Sequence, residues 1–396
     1  MTRNEYVVPG FKASAVASGI GTKKGMDLAL IFSEKATTAA AVFTSNQVKA
    51  APVILSLENI KNGKIRAVLA NAGNANACTG PEGLENSRQS ALAVANELGI
   101  AADEVIVAST GVIGAQLKMN RFHQSVKELT GGLSTENLDR AAEAIMTTDT
   151  FPKISQFKGQ AGDTSYRILG MAKGAGMIMP NMATMLCFIL SDLQIDQAQL
   201  REALTQGVAP SFNRISVDGD TSTNDTVLIM ANGLAGNGRL SPADYESFKT
   251  GLTRVMTDLA TMIVKDGEGN TKVVYVRIKG AASPSDALTA ARTVSNSPLV
   301  KTAFYGQDPN WGRIMMALGK TEIQMKEQAV NISVDDIMIV KEGLGLGTGP
   351  EKEAAQKMKN ESFSITIDLQ QGEFEDQYIT SDLSHDYISI NADYRS

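Results

Sequence analysis

The chain is poor in the side chains that most often bind metals or act as general bases. Its 396 residues include only two His and two Cys, namely His123, His385, Cys78 and Cys187. Their positions show no metal-ligand spacing and cannot form a disulfide framework. No Gly-x-Ser-x-Gly elbow is present to join a histidine in a hydrolase triad. We therefore expect a protein without a metal site and with a chemistry that does not depend on histidine.

The chain also lacks long apolar runs and an excess of positive charge. No segment reaches the roughly eighteen apolar residues of a membrane span. The N-terminal segment carries Glu5 and has no apolar signal core. The 37 Lys and Arg against 43 Asp and Glu give a net charge of −6, which disfavours nucleic acids and anionic membranes as partners. A cytoplasmic protein is expected.

Apolar strands alternate with amphipathic helices along the chain. The alternation is typical of a layered α/β protein, and the length allows one large or two medium domains. The linker-like segment 280–286 predicts a boundary between a larger domain, 1–280, and a smaller one, 281–396. The predicted strands are 28–32, 66–70, 104–108, 166–169, 184–190, 226–232, 273–279, 331–340 and 362–369, and the predicted helices are 85–98, 135–146, 196–207, 242–264 and 285–293.

Polar or Gly-rich segments follow several of these elements. In segment 71–80 (NAGNANACTG), the Asn amides either approach a ligand or cap the next helix. In segment 109–114 (STGVIG), a hydroxyl and a backbone N–H either face one cleft, as an oxyanion-stabilising site requires, or belong to a simple tight turn. Segment 147–153 (TTDTFPK) has more polar groups than a helix end needs, which is consistent with a polar ligand.

Thr184 lies where a Gly-rich loop meets an apolar run, within the stretch KGAGMIMPNMATMLCFILSD. A Thr at that place suits the first position of a β-strand. It also suits an enzyme that cuts its own chain before Thr184. The cut would give Thr184 a free α-amino group with a pKa of about 8, so that one residue would supply both nucleophile and base.

Three other segments resemble ligand loops without matching them. The Gly-rich segment 19–25 lacks the dinucleotide fingerprint and leads into a strand rather than a helix. The polar segment 211–226 contains a D-x-D pattern but no closing Glu, so it is not an EF-hand. The loop 343–350 (GLGLGTGP) is interpreted as a surface connection.

Five motifs together resemble those of the ornithine acetyltransferase family, the bifunctional glutamate N-acetyltransferases and amino-acid acetyltransferases of arginine biosynthesis. The resemblance runs from the N-terminal VVPGF to the last residue. It rests on PNMATM at 180–185, NAGNANACTG at 71–80, STGVIG at 109–114, MTTDT at 146–150 and the terminal NADYRS.

This resemblance implies a self-cleaving enzyme. Cleavage between Ala183 and Thr184 would give an α chain, 1–183, and a β chain, 184–396, that stay associated as a heterotetramer of two α and two β chains. Thr184 would take the acetyl group from N2-acetylornithine and pass it to L-glutamate, with acetyl-CoA as a further donor substrate and no resident cofactor. The implied fold is a sandwich of two central sheets flanked by helices, of the N-terminal-nucleophile type, with a smaller C-terminal α/β domain whose tail returns to the active site.

The resemblance also assigns roles to individual residues. Thr110 (hydroxyl) and Gly111 (backbone N–H) would stabilise the oxyanion. The substrate-binding residues would be Thr147, Lys173, Thr184, Glu268, Asn391 and Ser396. Two alternatives stay open, a self-processing aminopeptidase or amidase of the same fold, and an amino-acid-binding protein that is never cut.

Overall fold

The fold is taken from a computed structural model that describes residues 6–21, 25–179 and 185–393. Thr184 and Ser396, two of the site residues named above, lie outside the described residues. Contacts within the chain divide it into two compact units. The first unit contains the residues before 214 together with Asp220–Ile263, and the second contains Arg214–Gly219 and the residues from Val264 onward.

The strands of the described residues are numbered along the chain. They are β1 Phe11–Val16, β2 Leu28–Ser33, β3 Thr38–Phe43, β4 Ala67–Asn74, β5 Val105–Val112, β6 Lys153–Ala161, β7 Thr164–Lys173, β8 Leu186–Ser191, β9 Ile215–Ser216, β10 Thr226–Ala231, β11 Val273–Ala281, β12 Asn331–Val334, β13 Ile337–Lys341, β14 Leu344–Gly345, β15 Ser362–Asp368 and β16 Phe374–Ser381.

The α-helices of the described residues are numbered in the same way. They are α1 Ala51–Asn59, α2 Gly80–Leu98, α3 Met119–Gly131, α4 Leu138–Ala144, α5 Gln197–Val208, α6 Pro242–Lys265, α7 Pro284–Ser295, α8 Pro298–Tyr305, α9 Trp311–Gly319, α10 Thr348–Lys357 and α11 His385–Asp393.

Two sheets form the first unit. Sheet A has the strand order β1-β2-β4-β5, and sheet B has the order β3-β10-β8-β7-β6. Alternate residues of sheet A face two different cores, because successive side chains of a strand point to opposite sides. Ala29 and Ile31 of β2 pack towards sheet B, for example, whereas Leu28 and Leu30 pack among helices α2 and α3.

The space between the two sheets is an apolar core. Ile106 and Ala108 of sheet A share it with Phe188 and Leu190 of β8 and with Leu228 of β10, all of them buried. A Cβ at Gly170 of β7 would approach Val255 and Leu259, which places α6 on the other face of sheet B. The first unit is therefore the predicted sandwich of two sheets flanked by helices.

Capping residues set the start of helix α6. Ser241 precedes α6, and its Oγ accepts from the backbone N–H of Asp244 at 3.1 Å. The Asp244 carboxylate accepts from the Ser241 backbone N–H at 3.2 Å in return. This reciprocal pair satisfies N–H groups that a helix start leaves unbonded.

The second unit is built on one sheet of its own. Sheet C has the strand order β14-β13-β12-β15-β11-β16-β9 within the described residues. Helix α7 begins after Ser283, whose Oγ accepts from the Asp286 N–H at 3.1 Å. Its buried residues Ala287, Ala291 and Val294 share one apolar core with the strands of sheet C.

The boundary between the units differs from the predicted one. The prediction separated 1–280 from 281–396, whereas the second unit contains the residues from Val264 onward and also Arg214–Gly219. Strand β11 pairs with both β15 and β16, so it lies inside sheet C. The apolar pattern of β11 does not distinguish it from the strands of the first unit. Its long-range pairing decides to which sheet it belongs.

The ends of two strands also differ from expectation. Strands β4 and β5 were predicted to end at residues 70 and 108, but they continue paired to Asn74 and Val112. The C-terminal segment forms helix α11, which has no buried residue, and Ile388 is 62% exposed.

Candidate active site

Lys173 is the centre of a polar cluster in the first unit. It ends β7, and only 7% of its surface is exposed. Its ammonium donates to Thr147 Oγ1 at 2.8 Å and to Thr110 Oγ1 at 3.3 Å. These three residues come from three separate segments, and the family resemblance assigns all of them to one site. The structure thus brings them together.

The Asp149 carboxylate stabilises this cluster through hydrogen bonds and ion pairs. Its Oδ1 accepts from Lys153 Nζ at 2.7 Å and from the Gly174 N–H at 2.6 Å. Its Oδ2 accepts from the Thr147 N–H at 3.0 Å and lies 3.9 Å from Lys173 Nζ. Burial alone would raise the pKa of Asp149, but the two ammonium groups and the N–H donors outweigh burial and lower this pKa to about 2.

Two ammonium groups lie beside Asp149 in this cluster. Lys153 and Lys173 each form an ion pair with its carboxylate, at 2.7 Å and 3.9 Å. An ammonium group can also attract an anionic group of a ligand, such as the carboxylate of an amino acid.

Gly111 follows Thr110 on β5, where the strand lies close to β4. Gly111 has a φ of +131°, and a Cβ at this position would overlap the backbone of Gly73 and Asn74. A side chain is therefore excluded at residue 111. This close approach is also why β5 continues through residues that the sequence suggested were a turn, with Gly73 and Gly111 opposite one another.

The Asn-rich segment 71–76, which begins within β4, forms hydrogen bonds among its own residues and with their neighbours. The Ser109 hydroxyl donates to Asn71 Oδ1 at 2.6 Å, and Asn71 Nδ2 donates to the Asn74 carbonyl at 2.8 Å. Asn76 Nδ2 donates to the Gly83 carbonyl at 2.9 Å, in the first turn of α2. Asn76 thus contacts α2, but no Asn amide of the segment caps this helix, because its N-cap residue is Thr79 and has no side-chain capping hydrogen bond.

The polar segment 221–225 lies beside the chain on both sides of the undescribed residues 180–184. The Thr221 hydroxyl donates to the Met179 carbonyl at 3.0 Å, and the Thr226 N–H donates to the Met185 carbonyl at 2.9 Å. Asn224 Nδ2 donates to the Ser109 carbonyl at 2.9 Å, next to Thr110. In the sequence this segment shows only an incomplete calcium-loop pattern, and nothing in it signals these contacts.

Glu268 and Asn391 form a second polar pair, within the second unit. Asn391 Nδ2 donates to Glu268 Oε2 at 2.8 Å, and Glu268 is 8% exposed. The turn that carries Glu268 is fixed by Ser384, whose hydroxyl donates to the Gly269 carbonyl at 2.6 Å. The pair joins two positions that are far apart in sequence.

A family model matches residues 12–396 of the chain, and its description is ArgJ family. The chain belongs to the ArgJ family. The Geobacter sulfurreducens protein named Arginine biosynthesis bifunctional protein ArgJ is 48% identical over 391 residues, covering 98% of this chain and 100% of that protein. A Methanocaldococcus jannaschii protein named Glutamate N-acetyltransferase is 45% identical over 401 residues, covering 97% of this chain and 96% of that protein.

Solved structures include a member of the ArgJ family. The chain in the crystal structure of Arginine biosynthesis bifunctional protein ArgJ from Bacillus halodurans is 40% identical, with a TM-score of 0.50. The match covers 52% of the present chain and 98% of the solved chain. The solved chain thus corresponds to about half of the present ArgJ chain.

The hydrogen bonds of the Gly-rich segment 19–25 in this ArgJ chain involve a nearby carboxylate. In the Gly-rich segment 19–25, the buried Asp27 carboxylate accepts from the Gly21 N–H at 3.0 Å and from the Ser18 N–H at 2.6 Å. These N–H groups thus donate to a carboxylate of the same segment.

The described residues contain no group of three or more His, Cys, Asp or Glu side chains that could hold a metal ion, and no helix among them is long and apolar enough to cross a membrane.

Proposed function

We propose that this ArgJ chain transfers the acetyl group of N2-acetylornithine to L-glutamate through an acetyl ester on Thr184. The proposal includes cleavage of the chain between Ala183 and Thr184. The observation that carries it is the cluster of Thr110, Thr147 and Lys173 within a chain of the ArgJ family.

The length of a related solved chain supports the cleavage step. The match to the Bacillus halodurans chain covers 98% of that chain but only 52% of this one. A family member divided near its middle would give chains of that size. The proposed β chain, 184–396, is about half of the 396-residue sequence.

Cleavage supplies the base that the transfer reaction needs. The new α-amino group of Thr184 takes the proton of its own hydroxyl, and Oγ1 attacks the acetyl carbonyl carbon of N2-acetylornithine. The carbon–nitrogen bond then breaks, the proton passes to the leaving amine, and ornithine departs. The amine of glutamate attacks the ester in the second half-reaction and regenerates the Thr184 hydroxyl.

Thr110 is suited to stabilise the oxyanion of both steps. Its Oγ1 accepts a hydrogen bond from the Lys173 ammonium, so the hydrogen of the Thr110 hydroxyl is directed away from Lys173 and can be donated to a developing negative charge. The nearby ammonium also makes this hydroxyl a stronger donor. The Gly111 N–H is the second proposed donor, at a position where a side chain is excluded.

The remaining proposed residues bind substrate. Thr147 and Lys173 contribute hydroxyl and ammonium donors for a carboxylate, and Glu268 contributes a charge for an amino group. Asn391 and Ser396 complete the proposed set. We also propose acetyl-CoA as a second donor substrate, no resident cofactor, and α and β chains that associate as a heterotetramer.

A steady-state assay separates this function from its alternatives. The enzyme should form N-acetylglutamate from N2-acetylornithine and glutamate, with the parallel double-reciprocal lines of a ping-pong reaction. A self-processing amidase would instead release acetate at a rate independent of glutamate. Replacing N2-acetylornithine by acetyl-CoA in the same assay decides whether the second donor is used.

A further inference from the structure

Ser384 is a buried residue of the second unit to which the proposed transfer reaction assigns no role. It lies immediately before α11, and 4% of its surface is exposed. Its Oγ accepts from the backbone N–H of Tyr387 at 3.2 Å. Tyr387 is the third residue of α11, so the Ser384 side chain caps the start of this helix.

The same hydroxyl also contacts the turn that carries Glu268. Ser384 Oγ donates to the Gly269 carbonyl at 2.6 Å. A hydroxyl can donate its one hydrogen and accept another, so both bonds can form at the same time. Helix α11 carries Asn391, whose Nδ2 donates to Glu268 Oε2 at 2.8 Å. Ser384 therefore links the turn of Glu268 to the helix of Asn391.

The turn and the start of α11 are in close contact at Gly269. This residue has a φ of +68°, and a Cβ at its position would overlap the backbone of Asp386 and Tyr387. The turn is also closed by a bond of its own, because the Asn270 N–H donates to the Gly267 carbonyl at 2.9 Å. A movement of α11 would therefore move the turn with it.

Asp382 fixes the chain on the other side of this turn. Its Oδ1 accepts from the N–H groups of Thr271 and Lys272 at 2.9 Å and 3.0 Å. Its Oδ2 accepts from the Thr271 hydroxyl at 2.5 Å, and Asp382 is 1% exposed. These bonds hold residues 271 and 272 beside the end of β16, only three residues after Glu268.

Lys301 on α8 anchors segment 380–384, the part of the chain that supplies both contacts. Its buried ammonium donates to the Ser381 carbonyl and, at 3.0 Å each, to the hydroxyls of Thr380 and Ser381. The Leu383 N–H donates to the Lys301 carbonyl at 3.2 Å. The segment is thus fixed to a helix of the same unit and can hold the turn in one position.

We propose that Ser384 is a positioning residue for substrate binding, an inference that rests on the proposed function. Glu268 and Asn391 belong to the proposed substrate-binding set, but α11 has no buried residue, so apolar packing does little to hold it. The Ser384 hydroxyl keeps the helix start against the turn and the Glu268 carboxylate beside Asn391. A carboxylate that is already held in place binds an amino group with a smaller loss of side-chain entropy.

Steady-state kinetics of Ser384→Ala in the full-length protein test this role. The variant should raise KM for N2-acetylornithine, measured at saturating glutamate, by about 3- to 10-fold, the effect of one lost hydrogen bond. Its kcat should stay close to the wild-type value, because the lost interaction contributes to binding. Ser384→Thr keeps a hydroxyl that donates and accepts, so it should retain the wild-type KM. A KM for Ser384→Thr as high as that of Ser384→Ala would contradict the role of the hydroxyl.

Ser283→Ala is the matched control. Ser283 caps α7 in the same unit, where its Oγ accepts from the Asp286 N–H at 3.1 Å. Its replacement removes a helix cap of the same kind but leaves the bond between Ser384 and Gly269 in place. The wild-type KM is expected for Ser283→Ala. An equal rise of KM in Ser283→Ala and Ser384→Ala would overturn the positioning role.

A double variant tests whether Ser384 acts through Glu268. In a Glu268→Gln background, Ser384→Ala should cause no further rise of KM, because substitutions that affect one shared contact are not additive. A KM for the double variant equal to the product of the two single effects would show that Ser384 acts independently of Glu268, and would also overturn the role.

A second variant covers the case in which Ser384→Ala does not fold. In Ser384→Asp the carboxylate can still accept from the Tyr387 N–H and cap α11, but it cannot donate to the Gly269 carbonyl. The same rise of KM is therefore expected from a chain whose helix start is intact. A wild-type KM for Ser384→Asp would count against the role in the same way as for Ser384→Ala.

The outcomes separate this inference from the proposed function. A raised KM for Glu268→Gln together with a wild-type KM for Ser384→Ala overturns the positioning role alone. A wild-type KM for Glu268→Gln contradicts the proposed binding role of Glu268, and the role of Ser384 falls with it. A wild-type protein that forms no N-acetylglutamate contradicts the proposed function itself.

Discussion

At the scale of single residues, the Thr110 hydroxyl is the proposed group whose geometry is most completely described. It accepts from Lys173 Nζ at 3.3 Å and lies on β5, directly after strand residues that are buried on both faces of the sheet. Removing it leaves Lys173 bonded to Thr147, so the rest of the cluster keeps its anchor. A substitution at Thr110 therefore probes one donor with little effect on the others.

Thr110→Ala should lower kcat for acetyl transfer by about 10²-fold, the usual effect of removing one oxyanion donor. Thr110→Ser keeps the hydroxyl and should retain most of the activity. The check is to measure kcat for both variants and to confirm that each chain is still cleaved like the wild type. Equal rates for Thr110→Ala and the wild type would remove Thr110 from the oxyanion site.

Asp149 should affect stability in a pH-dependent way. Its pKa is lowered to about 2 in the folded protein from 3.8, so its charge stabilises the fold at neutral pH, and this contribution is lost as the pH falls from about 4 to about 2. Asp149→Asn should lower the unfolding free energy by about 3 to 5 kcal/mol at pH 7, because two buried ammonium groups lose their counter-ion.

Urea denaturation at several pH values checks this expectation. The difference between the wild type and Asp149→Asn should stay constant from pH 8 to about pH 5 and shrink below about pH 4. A difference that has already disappeared at pH 5 would show that Asp149 is not strongly paired in the folded protein.

At the scale of elements, the close approach of β4 and β5 shapes the proposed oxyanion site. Gly111 has a φ of +131°, and its Cα hydrogen faces the backbone of Gly73 and Asn74, where a Cβ does not fit. Gly114, three residues later, has a φ of +83° and nothing within 4 Å of the Cβ position. A comparison of substitutions at the two glycines therefore distinguishes the effect of steric overlap from that of backbone strain.

Gly111→Ala should destabilise the protein more than Gly114→Ala and should reduce acetyl transfer, because the strand must shift to make room. Gly114→Ala carries only the strain of a left-handed residue, about 1 to 2 kcal/mol. Thermal unfolding and kcat of both variants provide the test. Equal destabilisation by the two substitutions would contradict the close strand contact.

The elements also show what sequence reasoning can and cannot supply. The helices 242–264 and 285–293 were predicted nearly to their ends, since capping residues and a regular apolar period are local signals. The continuation of β5 through Thr110 and Gly111 was missed, because a Thr-Gly pair is typical of a turn and its pairing partner lies some forty residues earlier, as the register shows. The contacts of Asp149 with Lys173 and Gly174 were missed for the same reason, since these residues lie far from Asp149 in the sequence.

At the scale of the whole molecule, sheet B explains how a divided chain could remain one protein. Strands β3, β7 and β6 belong to residues 1–183, and β8 and β10 belong to residues 184–396. In sheet B β10 and β8 lie between β3 and β7, so two strand pairs join the two segments. Separating them would break the sheet and expose the core beneath it.

The two segments should therefore stay together under native conditions and separate only when the protein unfolds. Size-exclusion chromatography in increasing urea should show one species up to the transition seen by circular dichroism, and separate chains above it. Separation at urea concentrations well below that transition would contradict the shared sheet.

The most direct test of the central claim is intact-mass spectrometry of the purified protein with and without N2-acetylornithine. The account predicts two masses, for residues 1–183 and 184–396, and the gain of one acetyl group by the second chain alone when the donor is added. Thr184→Ala should give one full-length mass that never gains an acetyl group. A wild-type protein that remains one chain, or a Thr184→Ala protein that is cut and acetylated like the wild type, would contradict the account.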